Sequence, residues 1–207
     1  MIPVNEPLIG ALEQDYVVDC ISTGWISSAG KYIEQFENKW AEYCGRKYGV
    51  AVCNGTVALE LALSVLDLPA GGEVILPSFT IVSCLEAVLR NNLMPVLVDC
   101  DPRTYCMDVG QVEARITPKT VAVMPVHIYG HPVDMNGLLA VARKHGLKII
   151  EDAAEAHGAE VLVSVGSQTN TLTPALRQGS GQALSPIGRG SRGSEDRYLT
   201  QQPTTNN

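Results

Sequence analysis

Two short stretches carry residue types whose spacing could do chemistry. The first is Cys53-Asn54-Gly55-Thr56-Val57-Ala58-Leu59. An apolar run enters a glycine turn and then a helical pattern, which gathers the first backbone N–H groups of a helix beside a threonine hydroxyl. Those N–H groups have no intrahelical acceptor, so such a start suits an anion, phosphate above all. The plain alternative is ordinary helix entry with Asn54 or Thr56 as N-cap. The stretch is neither a GxGxxG fingerprint nor a P-loop, because no Gly-Lys-Ser/Thr follows.

The second stretch is Ile149-Ile150-Glu151-Asp152-Ala153-Ala154-Glu155-Ala156-His157-Gly158-Ala159. Carboxylates at the end of an apolar run are expensive to desolvate unless they have partners. One of them could hold a protonated pyridine nitrogen, as pyridoxal phosphate requires of its protein. Asp152-x-x-Glu155 equally fits a capping box that opens a helix. Pro77-Ser78-Phe79-Thr80-Ile81 reads as a loop and helix start that could also line a pocket wall. His127 and His131 lack an obvious third ligand for a metal, and His157 reads as structural.

These residues need elements to position them. Leu8, Leu12, Val17, Val18 and Ile21 predict a helix closed by Gly24, and Ile33, Phe36, Trp40 and Tyr43 predict another stopped by Gly45. From Tyr48 the rhythm becomes strand–helix: strands over 48–53, 73–76, 95–98, 121–126 and 147–150, and helices over 56–66, 81–90, 109–116 and 135–145. Such alternation implies βαβ units, a mostly parallel sheet and helices on both faces. Ligands of such sheets gather beyond the carboxyl ends of the strands. That edge holds Asn54-Gly55-Thr56, Ser78–Thr80, Asp99, His127 and Glu151-Asp152.

Composition divides the 207 residues in two. Residues 1–160 hold 11 Lys+Arg against 20 Asp+Glu and are about half apolar; residues 161–207 hold four Arg, one Asp and one Glu and are about a quarter apolar. The acidic body argues against nucleic acid, which needs clustered Lys and Arg. No apolar run reaches the roughly 18 residues of a membrane span. The start, Met1-Ile2-Pro3-Val4-Asn5-Glu6, has no basic or apolar leader segment. The six cysteines form no CxxC pair and read as buried free thiols of a cytoplasmic protein.

In order and spacing, several stretches from about Ile2 to Glu160 resemble the pyridoxal-phosphate-dependent nucleotide-sugar aminotransferases of the DegT/StrS type. They are Gly24-Trp25-Ile26-Ser27-Ser28, Phe36-Glu37, Asn54-Gly55-Thr56-x-Ala58-Leu59, Pro77-Ser78-Phe79-Thr80, Pro95-Val96-x-Val98-Asp99, Ile116-Thr117-Pro118-Lys119-Thr120, Val126-His127-x-Tyr129-Gly130 and the Glu151–Ala159 stretch. The nearest flavour is the GDP-perosamine-synthase-like enzymes. The resemblance implies the large α/β/α domain of a fold type I aminotransferase and an active site shared across a homodimer. It implies pyridoxal 5'-phosphate as cofactor, with Gly55, Thr56 and the Val57 backbone on the phosphate, Asp152 on the pyridine nitrogen and Glu155 near the phenolic oxygen. The family's ring-stacking aromatic is replaced here by Ile81. The implied reaction moves an amino group from glutamate to a 4-keto-6-deoxy sugar carried on a nucleotide.

That reaction turns on a lysine downstream of the Glu-Asp-Ala-Ala motif, in a Phe-Ser-Phe-x-x-x-Lys context. The resemblance stops at Glu160, and residues 161–207 contain no lysine. The expectation is a partial large domain over 1–160, truncated before its Schiff-base lysine, and a disordered Gly/Ser/Thr/Gln-rich tail over 161–207. Catalysis by the chain as it stands is not expected. A frameshift, splicing product or misassembled gene accounts for such a break; a genuine tail on a truncated domain is the rival. Two other functions stand beside the enzyme: a non-catalytic fragment or pseudoenzyme that keeps cofactor or dimer surfaces, and a generic α/β nucleotide-binding domain.

Overall fold

The computed structural model describes residues 2, 6–165, 168–172 and 183–185. Its centre is a five-stranded sheet. The strands are β1 (Glu73–Pro77), β2 (Met94–Val98), β3 (Thr120–Val123), β4 (Lys148–Glu151) and β7 (Ala183–Ser185), in the order β2-β1-β3-β4-β7. The first four run parallel and β7 pairs antiparallel with β4. A separate antiparallel hairpin joins β5 (Val161–Val165) to β6 (Gln168–Leu172).

The parallel strands are apolar on both sides, and alternation divides them between two cores. Val74, Leu76, Ala122, Met124 and Ile150 pack on one face beneath α3 (Gly55–Ser64) and α4 (Val82–Arg90). Ile75, Val98, Val123 and Ile149 pack on the other face with α5 (Val109–Val112) and α6 (Met135–His145). This is the expected three-layer α/β/α arrangement. Side-chain caps start the inner helices where the sequence offers them: Asn54 accepts from Val57 N–H, Asp108 from Gly110 N–H and Asp134 from Gly137 N–H. Helix α6 stops where Gly146 turns left-handed at φ 68°, a conformation glycine adopts without strain.

Helices α1 (Ala11–Thr23) and α2 (Lys31–Tyr43) precede the sheet. The apolar positions that predict α1 do not face a core: Leu12, Val17, Val18 and Ile21 are all exposed, and no residue of α1 is buried. The predicted strand over 48–53 does not form. Among the described residues no strand lies beside it to supply a ladder, which extended backbone in a sheet requires. Tyr48, Val50 and Cys53 are exposed, and the Ala51 N–H turns instead to Glu37 Oε1 at 2.8 Å. Strand β3 ends at Val123, short of the expected Val126, which keeps only an isolated parallel bridge to Asp152.

All six cysteines are free, as expected, but only Cys44, Cys84 and Cys106 are buried. The 161–207 tail lies mostly outside the described residues. The described parts of it, 161–165, 168–172 and 183–185, are extended strands.

Candidate functional site

The parallel register places Pro77, Val98 and Glu151 at one edge of the sheet, and the residues that follow each strand gather there. Ser78 Oγ reaches Asp99 Oδ1 at 3.4 Å, and the Ser78 N–H donates to the Val98 carbonyl. Asp152 continues β4 by bridging to Val126. Its N–H donates to the Pro125 carbonyl, and its own carbonyl accepts from His127 N–H.

Asp152 is only 4% exposed. Its Oδ1 accepts from Ala154 N–H at 3.1 Å, and its Oδ2 accepts from the Cys84 thiol at 3.1 Å. Both donors are neutral. Among the described residues no Lys, Arg or His pairs with it, so a carboxylate sits in the interior with its charge unmatched. A buried carboxylate is costly in that state, and an ionised one has acceptor capacity for about four donors. The capping-box alternative is not what forms. Residues 153–160 are turns rather than a helix, and the Asp152 carboxylate closes a local turn with Ala154.

Glu155 is exposed, and its Oε2 accepts from Tyr129 N–H at 2.7 Å. Tyr129 is held at φ 50°, a left-handed conformation that costs a bulky residue energy, and the carboxylate bond compensates. The Tyr129 ring lies 6.3 Å from Phe79, whose other neighbour is Tyr105 at 6.0 Å, itself at φ 60°. These three exposed aromatics stand at the ends of successive strand–loop connections. The sequence singles out Phe79 and Tyr129 in separate stretches; Tyr105 joins them only through the fold.

At the start of α3, Asn54 Oδ1 accepts from Val57 N–H at 2.9 Å. The Thr56 hydroxyl donates to Ser83 Oγ at 2.8 Å. Of the expected phosphate donors, the Val57 N–H is therefore engaged by the cap, and the threonine is tied to α4. Ile81 is the extended residue preceding α4 and is 62% exposed, which leaves its side chain as an apolar wall.

His127 is fully buried and satisfied. Its Nδ1 accepts from Val133 N–H at 3.1 Å, so Nε2 carries the proton and donates to Glu151 Oε2 at 3.3 Å. His157 meets Trp40 edge-on at 6.0 Å.

The fold thus joins sites far apart in sequence through α4. Ser83 touches Thr56 and the adjacent Cys84 touches Asp152. Sequence reasoning missed both residues, since neither lies in a motif. Burial, and then the nearby Asp152 charge, push the Cys84 thiol strongly up, so it stays a protonated donor. An anion-suited helix start, a buried carboxylate with only neutral donors and an exposed apolar residue at the start of α4 fit a phosphorylated, protonated aromatic ring.

Comparison with known proteins covers the stretch of chain that holds these residues. The model of the DegT/DnrJ/EryC1/StrS aminotransferase family matches residues 7–172. GDP-perosamine synthase of Caulobacter vibrioides is 50% identical over 158 residues, which cover 76% of this chain and 43% of that protein. An aminotransferase from Psychrobacter cryohalolentis superposes with a TM-score of 0.72 at 37% identity, covering 79% of this chain and 42% of that one. NtdA from Bacillus subtilis, solved with bound cofactor PMP, gives a TM-score of 0.65 at 36% identity over 68% of this chain and 32% of its own. The chain spans less than half the length of these relatives.

Proposed function

The chain belongs to the DegT/DnrJ/EryC1/StrS aminotransferase family, and from that premise we propose that its body is the cofactor-binding part of a pyridoxal-phosphate-dependent nucleotide-sugar aminotransferase. The reaction is amino transfer from glutamate to a nucleotide-linked 4-keto-6-deoxy sugar, in line with the perosamine-synthase relative. The observation that carries this is Asp152: a buried carboxylate given only neutral donors, at the carboxyl edge of a parallel sheet.

Each residue has a task in this reading. Asp152 receives the proton-bearing ring nitrogen and keeps it protonated. Gly55, Thr56 and the Val57 N–H receive the phosphate at the positive end of α3. Ile81 covers one face of the ring and excludes water. Glu155 holds the Tyr129 turn, and with it the aromatic group of Phe79, Tyr105 and Tyr129 that walls the substrate side. When bound, the cofactor supplies an electron sink for the amino group's carbon.

The remaining requirement is a lysine amine to carry the cofactor and move the proton. Lys31, Lys39, Lys47, Lys119, Lys144 and Lys148 all precede Asp152 in sequence, and none follows it. Lys31 pairs with Asp19 and Lys144 with Glu113, both at 2.7 Å. In this reading the described body binds the cofactor through Asp152 and the start of α3, without a covalent bond. A homodimer is part of the proposal, for the family relationship supports it and exposed Val17, Val18, Ile21, Trp25 and Ile26 offer apolar surface to a second copy. Free thiols fit a cytoplasmic location.

Thermal unfolding with added pyridoxal phosphate, pyridoxamine phosphate or a nucleotide tests this. At one hundred times the dissociation constant a ligand adds about 2.7 kcal/mol. The B6 phosphates are expected to raise the melting temperature, and borohydride reduction with pyridoxal phosphate to label no single lysine stoichiometrically. A rise with nucleotide and none with either B6 phosphate would identify a generic nucleotide-binding domain instead.

A further inference from the structure

Helix α4 touches both polar anchors of the site through neighbouring residues. Ser83 Oγ lies 2.8 Å from the Thr56 hydroxyl, and Cys84 Sγ lies 3.1 Å from Asp152 Oδ2. The second contact joins residues 68 apart in sequence, and Cys84 has no exposed surface. We propose that Ser83 and Cys84 are positioning residues, which brace the phosphate end and the ring end of the cofactor site against one helix and so fix their separation. This rests on the cofactor reading above and assigns a task to two residues outside every motif.

The hydrogen bonds have one consistent direction. A thiol has a single proton, and an ionised carboxylate only accepts. The Cys84 proton therefore goes to Asp152. Thr80 Oγ1, 3.2 Å from the same sulfur, is then the donor to it. The resulting chain, Thr80 to Cys84 to Asp152, keeps Oδ2 in place, while Ala154 N–H keeps Oδ1. A carboxylate fixed at both oxygens cannot rotate away from an incoming ring nitrogen, so its orientation is set before binding. At the other end, the Thr56 hydroxyl rests on Ser83. A hydroxyl is donor and acceptor at once, so Ser83 can return the bond when Thr56 turns its proton to a phosphate. The helix start is ready at one end of the site and the carboxylate at the other, with α4 as the common support.

Two probes separate the two ends. Pyridoxamine phosphate presents ring and phosphate without an aldehyde that could react with surface lysines, and pyridoxamine presents the ring alone. Both are titrated into the full chain by calorimetry. Cys84→Ala is expected to weaken both probes about fivefold, the size of one ordinary hydrogen bond. Cys84→Ser, which restores a donor of similar size, is expected to stay within about twofold of the parent by the same reasoning. Ser83→Ala is expected to weaken pyridoxamine phosphate about fivefold and leave pyridoxamine unchanged, since its contact serves only the phosphate end. General damage to the fold would weaken both probes in both variants alike, and that result overturns the proposal, as do variants that bind both probes like the parent.

The infrared S–H stretch reads the Cys84 contact with no ligand present. The band lost in Cys84→Ala is expected at lowered frequency in the parent and at raised frequency in Asp152→Asn; a band that Asp152→Asn leaves in place overturns the contact. A parent chain that binds neither probe refutes the cofactor reading, and the positioning role falls with it. A parent that binds both probes, with variants that do not differ from it, removes the positioning role alone.

Discussion

Asn54→Ala sets helix stability against ligand binding at a single hydrogen bond. Asn54 is the N-cap of α3, with extended backbone at φ −165° and ψ 172°, and its Oδ1 accepts from Val57 N–H at 2.9 Å. Alanine cannot replace that acceptor, so the ligand-free protein is expected to lose about 1 kcal/mol. For a chain of this length that lowers the melting temperature by roughly 2–4 °C. The Val57 N–H is also one of the donors assigned to the cofactor phosphate. In the parent, the phosphate must displace Asn54 to reach it; in the variant, the N–H is already open. The bond lost from the free protein is then the bond that binding no longer breaks, so pyridoxamine phosphate is expected to bind the variant up to about fivefold more tightly. Because a ligand stabilises only the state it binds, the melting-temperature gap should close as the ligand approaches saturation. Scanning calorimetry across a ligand series, with Asn54→Gly as a control that costs a few tenths of a kcal/mol, measures both quantities. A gap that persists or widens at saturating ligand refutes the reasoning, for it means that Asn54 keeps the Val57 N–H and the phosphate does not use it.

Three further outcomes follow from other parts of the structure. His127→Leu leaves the buried Val133 N–H and the 2%-exposed Glu151 carboxylate without partners; urea unfolding is expected to show a loss of about 3 kcal/mol, whereas exposed His131→Leu stays within about 0.5 kcal/mol. Hydrogen bonds from the Arg103 side chain, with its backbone N–H second, hold the Asp101 carboxyl at about 2 against an ordinary 3.8. A depressed carboxyl stabilises the fold above its unfolded value and loses that contribution as pH falls to the folded one. Arg103→Gln is therefore expected to be less stable than the parent at pH 6, with urea midpoints that converge between about pH 4 and 2; a constant difference through that window would refute the assignment. For the thiols, burial pushes Cys84 and Cys106 up while Cys53 is exposed. At pH 8 a thiol reagent such as DTNB is expected to modify Cys53 in the native chain and to reach Cys84 only on unfolding.

The body of the fold is legible in the sequence because its signals are local. Each sheet strand that forms in the body is a short apolar run, and the helices over it carry caps or stops that can be read by eye: Asn54, Asp108, Asp134 and Gly146. The misreading at 48–53 has a different origin. An apolar run states that a segment can be a strand, whereas a strand exists only beside another, and nothing local specifies the neighbour. Helix α1 shows the same limit. Its apolar spacing gives the helix correctly but not which surface covers Leu12, Val17, Val18 and Ile21, all of which are exposed here.

The site divides along the same line. Asn54-Gly55-Thr56 and Glu151-Asp152 can be found by inspection because a turn residue and a carboxylate at the end of an apolar run are unusual on their own terms. Ser83 and Cys84 are not unusual. On a helix pattern a cysteine reads as a small apolar core residue, and burial at 0% exposure agrees with that. What separates Cys84 from Cys106, which is also buried and donates to the His131 carbonyl, is the carboxylate that the fold brings to within 3.1 Å of it. That placement depends on β4 lying beside β3 in register, since the Val126–Asp152 bridge sets where the Asp152 side chain emerges. A change that shifted β4 by one residue would keep every motif in the sequence and would send the carboxylate to the opposite face of the sheet. The chemistry of this chain thus depends less on its motif residues alone than on the sheet register that delivers one of them to α4.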